Sequence, residues 1–116
     1  VKKKILVADD EKEILYFLKL ILELAEFDVI LAKDGVECIE KFEREKPDLV
    51  ICDVRMPKMT GLDVYSEIND RANVIVISGV VSERQIPEEI VERGDFVAKP
   101  LSPKDFIEKI KERLNG

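Results

Sequence analysis

Leu49-Val50-Ile51-Cys52, closing on Asp53, is the run whose reading decides the fold. It is apolar throughout, without the alternation of a sheet that has one wet face, so it reads as a strand covered on both sides. Four further runs repeat the pattern: Ile5 to Ala8, Val29 to Ala32, Val74 to Ile77 and Phe96 to Ala98. The first residues of the five runs, 5, 29, 49, 74 and 96, lie 24, 20, 25 and 22 positions apart. That spacing leaves room for one helix in each gap, which predicts parallel strands joined by crossovers.

The gaps carry helical patterns. Ile14, Leu15, Leu18, Ile21, Leu22 and Ala25 share one face of a first helix. Asp34, with Glu37 three residues on, predicts the start of a second helix that presents Val36, Ile39 and Phe42. A short third is expected from about Gly61 to Ile68. Pro87 would break a helix begun at Ser82, so the fourth is expected over about Pro87 to Arg93, stopped by Gly94. The fifth opens with Ser102 as N-cap and Pro103 in its first turn, ahead of Phe106, Ile107, Ile110 and Leu114. The expected architecture is a doubly wound, flavodoxin-like α/β domain, with a five-stranded parallel sheet in the order 2-1-3-4-5 and helices on both faces.

Composition narrows the function. In 116 residues, 19 Lys and Arg face 25 Asp and Glu, a net charge of −6, and no basic cluster follows Lys2 to Lys4. Direct binding to nucleic acid or to an anionic membrane is therefore not expected. The stretch from Ile14 to Phe27 is interrupted by Lys19, Glu23 and Glu26, and no signal-peptide layout precedes it, which predicts a cytoplasmic protein. The chain has no histidine, which removes Ser-His triads and histidine metal sites. Cys38 and Cys52 have no metal-ligand spacing and read as reduced core residues.

In a sheet of this kind the ligand site lies beyond the carboxyl ends of the strands. The first run is followed by Asp9-Asp10-Glu11, the third by Asp53, the fourth by Ser78-Gly79 and the fifth by Lys99-Pro100. Each has an ordinary reading taken alone: a helix cap, a turn opener, a solvated lysine. Four strands that each deliver a compatible polar group to one edge are another matter. Carboxylates about 4 Å apart repel by roughly 4 kcal/mol at an effective dielectric of about 20, so three clustered acids call for a cation. All-oxygen donors suit Mg²⁺ or Mn²⁺. Lys99 and the Ser78 hydroxyl can serve phosphoryl oxygens, which leaves Asp53 as the nucleophile.

These residues resemble the CheY-like receiver domain of two-component response regulators, and the likeness covers essentially the whole chain. Asp9-Asp10, Asp53, Ser78 and Lys99-Pro100 match that family's site in order, and Asp53-Val54-Arg55-Met56-Pro57-Lys58-Met59-Thr60-Gly61 matches its Asp-x-x-Met-Pro-x-Met-x-Gly signature. The resemblance implies that Asp53 accepts a phosphoryl group from a phosphohistidine of a sensor histidine kinase. It implies that Asp10, Asp53 and the backbone carbonyl of Arg55 coordinate Mg²⁺, with Asp9 acting mainly through a bound water. It implies a switch in which Ser78 moves toward the phosphoryl oxygens and Phe96 turns inward, altering the face made by the fourth helix, fifth strand and fifth helix for a downstream protein. Phe96 reads equally well as an ordinary core residue of its strand. Residues 1–116 are then expected to form one phosphoacceptor domain, with no output domain and no enzymatic turnover of an external substrate. A cis peptide between Lys99 and Pro100 is a further expectation.

Three features depart from the family pattern. Only 25 positions separate Asp53 from Ser78, so the third helix or its exit is shortened. The fourth helix carries Pro87 and few apolar anchors. Arg55 and Val80 stand two places after Asp53 and Ser78, where the family tunes hydrolysis of the phosphoaspartate, and Val80 cannot hydrogen-bond a hydrolytic water. Slow self-dephosphorylation is the expectation. A phosphatase of the haloacid-dehalogenase type would want a second acid at Arg55 and a cap domain. A flavodoxin-like cofactor carrier would want a Ser, Thr and Gly phosphate loop where Asp9-Asp10-Glu11 stands. A receiver-like adaptor that works without phosphorylation needs none of the four site groups present here.

Overall fold

The computed structural model describes residues 2–79, 86–99 and 102–115. Strands β1 (Lys4–Ala8), β2 (Asp28–Ala32), β3 (Leu49–Asp53), β4 (Val74–Ser78) and β5 (Phe96–Ala98) alternate with helices α1 (Lys12–Leu24), α2 (Gly35–Glu45), α3 (Gly61–Ile68), α4 (Glu88–Glu92) and α5 (Pro103–Asn115). The sheet is parallel, in the order β2-β1-β3-β4-β5. This is the predicted doubly wound topology, which turns around between β1 and β3.

The pleat separates two cores. Leu6, Ala8, Val50, Cys52, Val74 and Val76 face Cys38 and Phe42 of α2, Val64, Tyr65 and Ile68 of α3, and Ile90 of α4. Ile5, Val7, Leu49, Ile51, Ile75 and Ile77 face Leu15, Leu18 and Leu22 of α1 and Phe106 and Ile110 of α5. Each fully buried Leu or Ile contributes roughly 2 kcal/mol. Both cysteines are free and fully buried, as expected.

The three inner strands are covered on both faces, as their continuous runs predict, but β2 and β5 are only partly buried. The reading of all five runs as fully covered is corrected for these two. Each is an edge strand with a single neighbour, where the helical layers thin out.

Most helix ends follow from local chemistry. Asp34 caps α2, its Oδ1 accepting from the Glu37 N–H at 2.8 Å. Thr60 and Asp63 form a reciprocal capping box on α3. Ser102 Oγ accepts from the Asp105 N–H at 3.5 Å, with Pro103 opening α5. Pro87 stands at the N-cap position of α4 without a side-chain hydrogen bond, and Gly94 at φ 73° follows Arg93 to end the helix. Helix α3 has only eight residues and α4 five, in line with the short spacing and the proline noted above. Val80 and the Lys99-Pro100 bond, on which two expectations rest, fall outside the described residues or touch one that does.

Candidate functional site

Register brings the site residues together. Ala8 pairs with Cys52, so Asp9 and Asp53 leave neighbouring strands at the same level. On the next strand Asp53 pairs with Ile77, just before Ser78, and Ser78 pairs with Ala98, just before Lys99. A parallel ladder turns four separate strand ends into one cluster.

Lys99 Nζ lies 3.3 Å from Asp9 Oδ2 and 3.3 Å from Asp53 Oδ2, bridging the two acids. Asp9 is fully buried and its other oxygen, Oδ1, accepts the Glu11 N–H at 2.9 Å. Asp53 is 5% exposed and Oδ1 accepts the Arg55 N–H at 3.4 Å. Asp10, next in sequence, is exposed. Thus the acid pair divides: one carboxylate is locked into the floor and the other stands free at the rim.

Among the described residues one ammonium, that of Lys99, serves two buried carboxylates, and the electrostatics reflect the shortage. Burial, and then the neighbouring Asp9, push the Asp53 carboxyl above the usual range, against the pull of Lys99 and the Arg55 amide. Burial likewise raises Asp9, opposed by the Glu11 amide and Lys99. Burial pulls Lys99 downward, but Asp9 and Asp53 together outweigh it and hold the ammonium more firmly charged than usual. The ensemble has room for one more positive charge.

That charge has donors waiting. Carboxylate oxygens of Asp9, Asp10, Glu11 and Asp53 lie within 4.8 Å of one another. The set is all oxygen, two members exposed and two buried, which fits a hard divalent cation that keeps some of its water. Beside it opens a cleft of about 330 Å³ lined by Asp10, Glu11, Asp53, Arg55, Ser78, Gly79 and Lys99. Ser78 is 2% exposed yet reaches the cleft wall, and its carbonyl accepts the Lys99 N–H at 2.9 Å. Six of the seven residues predicted from the sequence, Asp9, Asp10, Asp53, Arg55, Ser78 and Lys99, are therefore gathered here.

Phe96 is not among them. It is half-buried on β5 and packs against the core of the α2, α3 and α4 side. Glu11, conversely, belongs to the acid cluster and the cleft but was outside the predicted site residues; its place directly after Asp10 is the signal that could have found it.

The response regulator receiver domain model matches residues 5–111. The chain is 36% identical over 116 residues to the alkaline phosphatase synthesis transcriptional regulatory protein PhoP of Bacillus subtilis (strain 168), covering 97% of this chain and 48% of that protein. It is 38% identical over 117 residues to the probable transcriptional regulator ycf27 of Porphyridium aerugineum, again covering 97% of this chain and 48% of the relative. The chain thus spans about half the length of these curated relatives. Among solved structures, a response regulator receiver domain protein from Clostridium thermocellum superposes with a TM-score of 0.86 at 29% identity, over 97% of this chain and 94% of that one. The receiver domain of Francisella response regulator 1452 gives 0.85 at 29% identity, over 98% of each. No helix among the described residues is long and apolar enough to cross a membrane. A match that runs from β1 into α5, joined to relatives above 30% identity and to the same fold, makes the chain a member of the response regulator receiver domain family of two-component systems.

Proposed function

We propose that Asp53 is the phosphoacceptor of this domain, taking a phosphoryl group from a phosphohistidine on a sensor histidine kinase in the presence of Mg²⁺. The single observation that carries the reading is the sharing of Lys99 between Asp9 and Asp53 at 3.3 Å each, on the floor of an open cleft. In the transfer an Asp53 oxygen forms the new O–P bond as the N–P bond to the partner's imidazole breaks. The imidazole keeps the bonding electron pair and takes a proton from solvent. No base is needed on this chain because Asp53 is the nucleophile as a carboxylate, so a sequence without histidine suffices.

Asp10, Asp53 and the Arg55 carbonyl are the groups that would hold the cation. Asp9, both of whose oxygens already accept hydrogen bonds from Glu11 and Lys99, is left to act through water. When bound, Mg²⁺ or Mn²⁺ supplies the positive charge that offsets phosphoryl oxygens beside a carboxylate. Lys99 orients Asp53 and neutralises a phosphoryl oxygen, and the Ser78 hydroxyl hydrogen-bonds another. Ser78 and Phe96 form the switch, transmitted to the face of α4, β5 and α5 and read by a downstream protein. On this reading the domain is not an enzyme; it assists its own phosphorylation and dephosphorylation.

The test is mass spectrometry after exposure to a small-molecule phosphodonor with Mg²⁺. The parent chain should gain one phosphoryl group and Asp53→Ala none. Equal uptake by both would move the acceptor elsewhere, and turnover of a phosphate ester would favour the phosphatase reading.

A further inference from the structure

Residues 54–60, between β3 and α3, bring Arg55 to the site and wall a second opening beside Asp10 with Val54, Met56, Pro57 and Thr60. The loop is closed at its base, where the Gly61 N–H donates to the Val54 carbonyl at 3.0 Å. A Cβ at Gly61 would fall 2.7 Å from the Asp53 carbonyl carbon, so base and acceptor strand are in backbone contact. The tip of the loop rests elsewhere, on the first turn of α2. A Cβ at Gly35 would lie 2.5 Å from Met59 Cβ and 2.8 Å from the Met59 carbonyl carbon, and would overlap its oxygen. Only a residue without a side chain lets helix and loop approach this closely.

The adjoining residue adds a second tie. Lys58 holds φ at 70°, a left-handed conformation that is uncommon outside glycine, and its Nζ lies 3.5 Å from Asp34 Oδ2. Asp34 is itself 4% exposed, and its other oxygen caps α2. One dipeptide, Asp34-Gly35, thus begins a helix and seats the loop that carries part of the cation site.

We propose that Asp34-Gly35 is a positioning element for the acceptor site. It sets the height of the 54–60 loop, and with it the Arg55 backbone, while touching neither cation nor phosphoryl group. The inference rests on the reading of Asp10, Asp53 and Arg55 as the Mg²⁺ site.

The experiment is calorimetric titration of the full 116-residue chain with MgCl₂, well below the melting temperature. Gly35→Ala should weaken Mg²⁺ binding about tenfold, the scale of losing a group that supports metal ligands. Asp34→Asn keeps a capping oxygen but drops the charge facing Lys58, and about a twofold loss is expected because that lysine is largely exposed. Arg113→Ala, which disturbs the opposite end of the sheet, should bind Mg²⁺ as the parent does even though it melts earlier. A folded Gly35→Ala variant with parental affinity would overturn the proposal, as would equal weakening in Gly35→Ala and Arg113→Ala. If Gly35→Ala does not fold, an unchanged affinity in Asp34→Asn overturns it. A parent chain that takes up no Mg²⁺ would instead sink the reading beneath it.

Discussion

Two sets of buried acids sit at opposite ends of the same sheet and are handled in opposite ways. At the carboxyl ends of the strands, Asp9 and Asp53 divide a single ammonium and open onto a cleft. Ahead of β5, Asp95 has partners of its own: Tyr65 Oη donates to its Oδ2 at 2.6 Å, and Arg113 lies 2.8 Å from its Oδ1. Arg93 closes that group by donating to Tyr65 Oη at 3.3 Å. One acid with full partners ties α3, α4, β5 and α5 together. Two acids short of positive charge make a place for a ligand. The difference separates architecture from function more sharply than burial does, since Asp95 at 8% and Asp53 at 5% are almost equally hidden.

The contrast breaks most visibly on removal of a partner. Arg113→Ala should cost about 3 kcal/mol in denaturant unfolding, because it takes the charged partner from a buried carboxylate and leaves it the Tyr65 hydroxyl. Asp53→Asn should do the reverse in the metal-free protein, raising stability by about 1 kcal/mol as a desolvated and repelled charge disappears. Loss of stability in Asp53→Asn without metal would mean that Lys99 already satisfies both acids.

Titration sharpens the comparison further. Folded Asp9 and Asp53 bind protons more tightly than the unfolded chain, so metal-free stability should rise as pH falls through their raised values toward the ordinary carboxylate range. Mg²⁺ affinity should fall over that same window, since protons compete for its ligands. Asp34 has the other sign. The Glu37 amide first, and Lys58 after it, hold its carboxyl below the usual range. Its contribution is complete above the unfolded value and is lost only as pH falls through the depressed one. Calorimetric melting with and without Mg²⁺ across this range would check both signs. Smallest of all should be Lys19→Ala, which removes an exposed pair with Glu23 on α1 and should change stability by less than about 0.5 kcal/mol.

Much of the fold was legible because parallel strands announce themselves locally. Leu49 to Cys52 and its counterparts are apolar without alternation, and Asp34, Ser102 and Gly94 mark helix ends by their own chemistry. The site was legible for a related reason: strand ends fall on a common edge, so Asp9, Asp53, Ser78 and Lys99 could be assembled from topology alone. What escaped are contacts with no shared rule of spacing. Tyr65 and Arg113 lie on α3 and α5 and Asp95 just ahead of β5, while Gly35 at the start of α2 meets Met59 in the loop before α3. The outer surface of α1 was equally silent. Its pattern identifies Leu15, Leu18 and Leu22 as core, but the exposure of Tyr16, Leu20 and Leu24 on the far side follows from nothing in their type.

The Lys99–Asp9 contact joins residues 90 positions apart, with Asp53 between them 46 from the lysine. A chain emerging from the ribosome displays Asp9 and Asp53 long before the ammonium that reconciles them has been synthesised. Until the last strand docks, Asp9 and Asp53 lack the Lys99 ammonium and the cleft is without one of its walls, so an unfinished or misassembled copy has no assembled site. Assembly of the cleft is thereby postponed until the polypeptide has passed its own inspection.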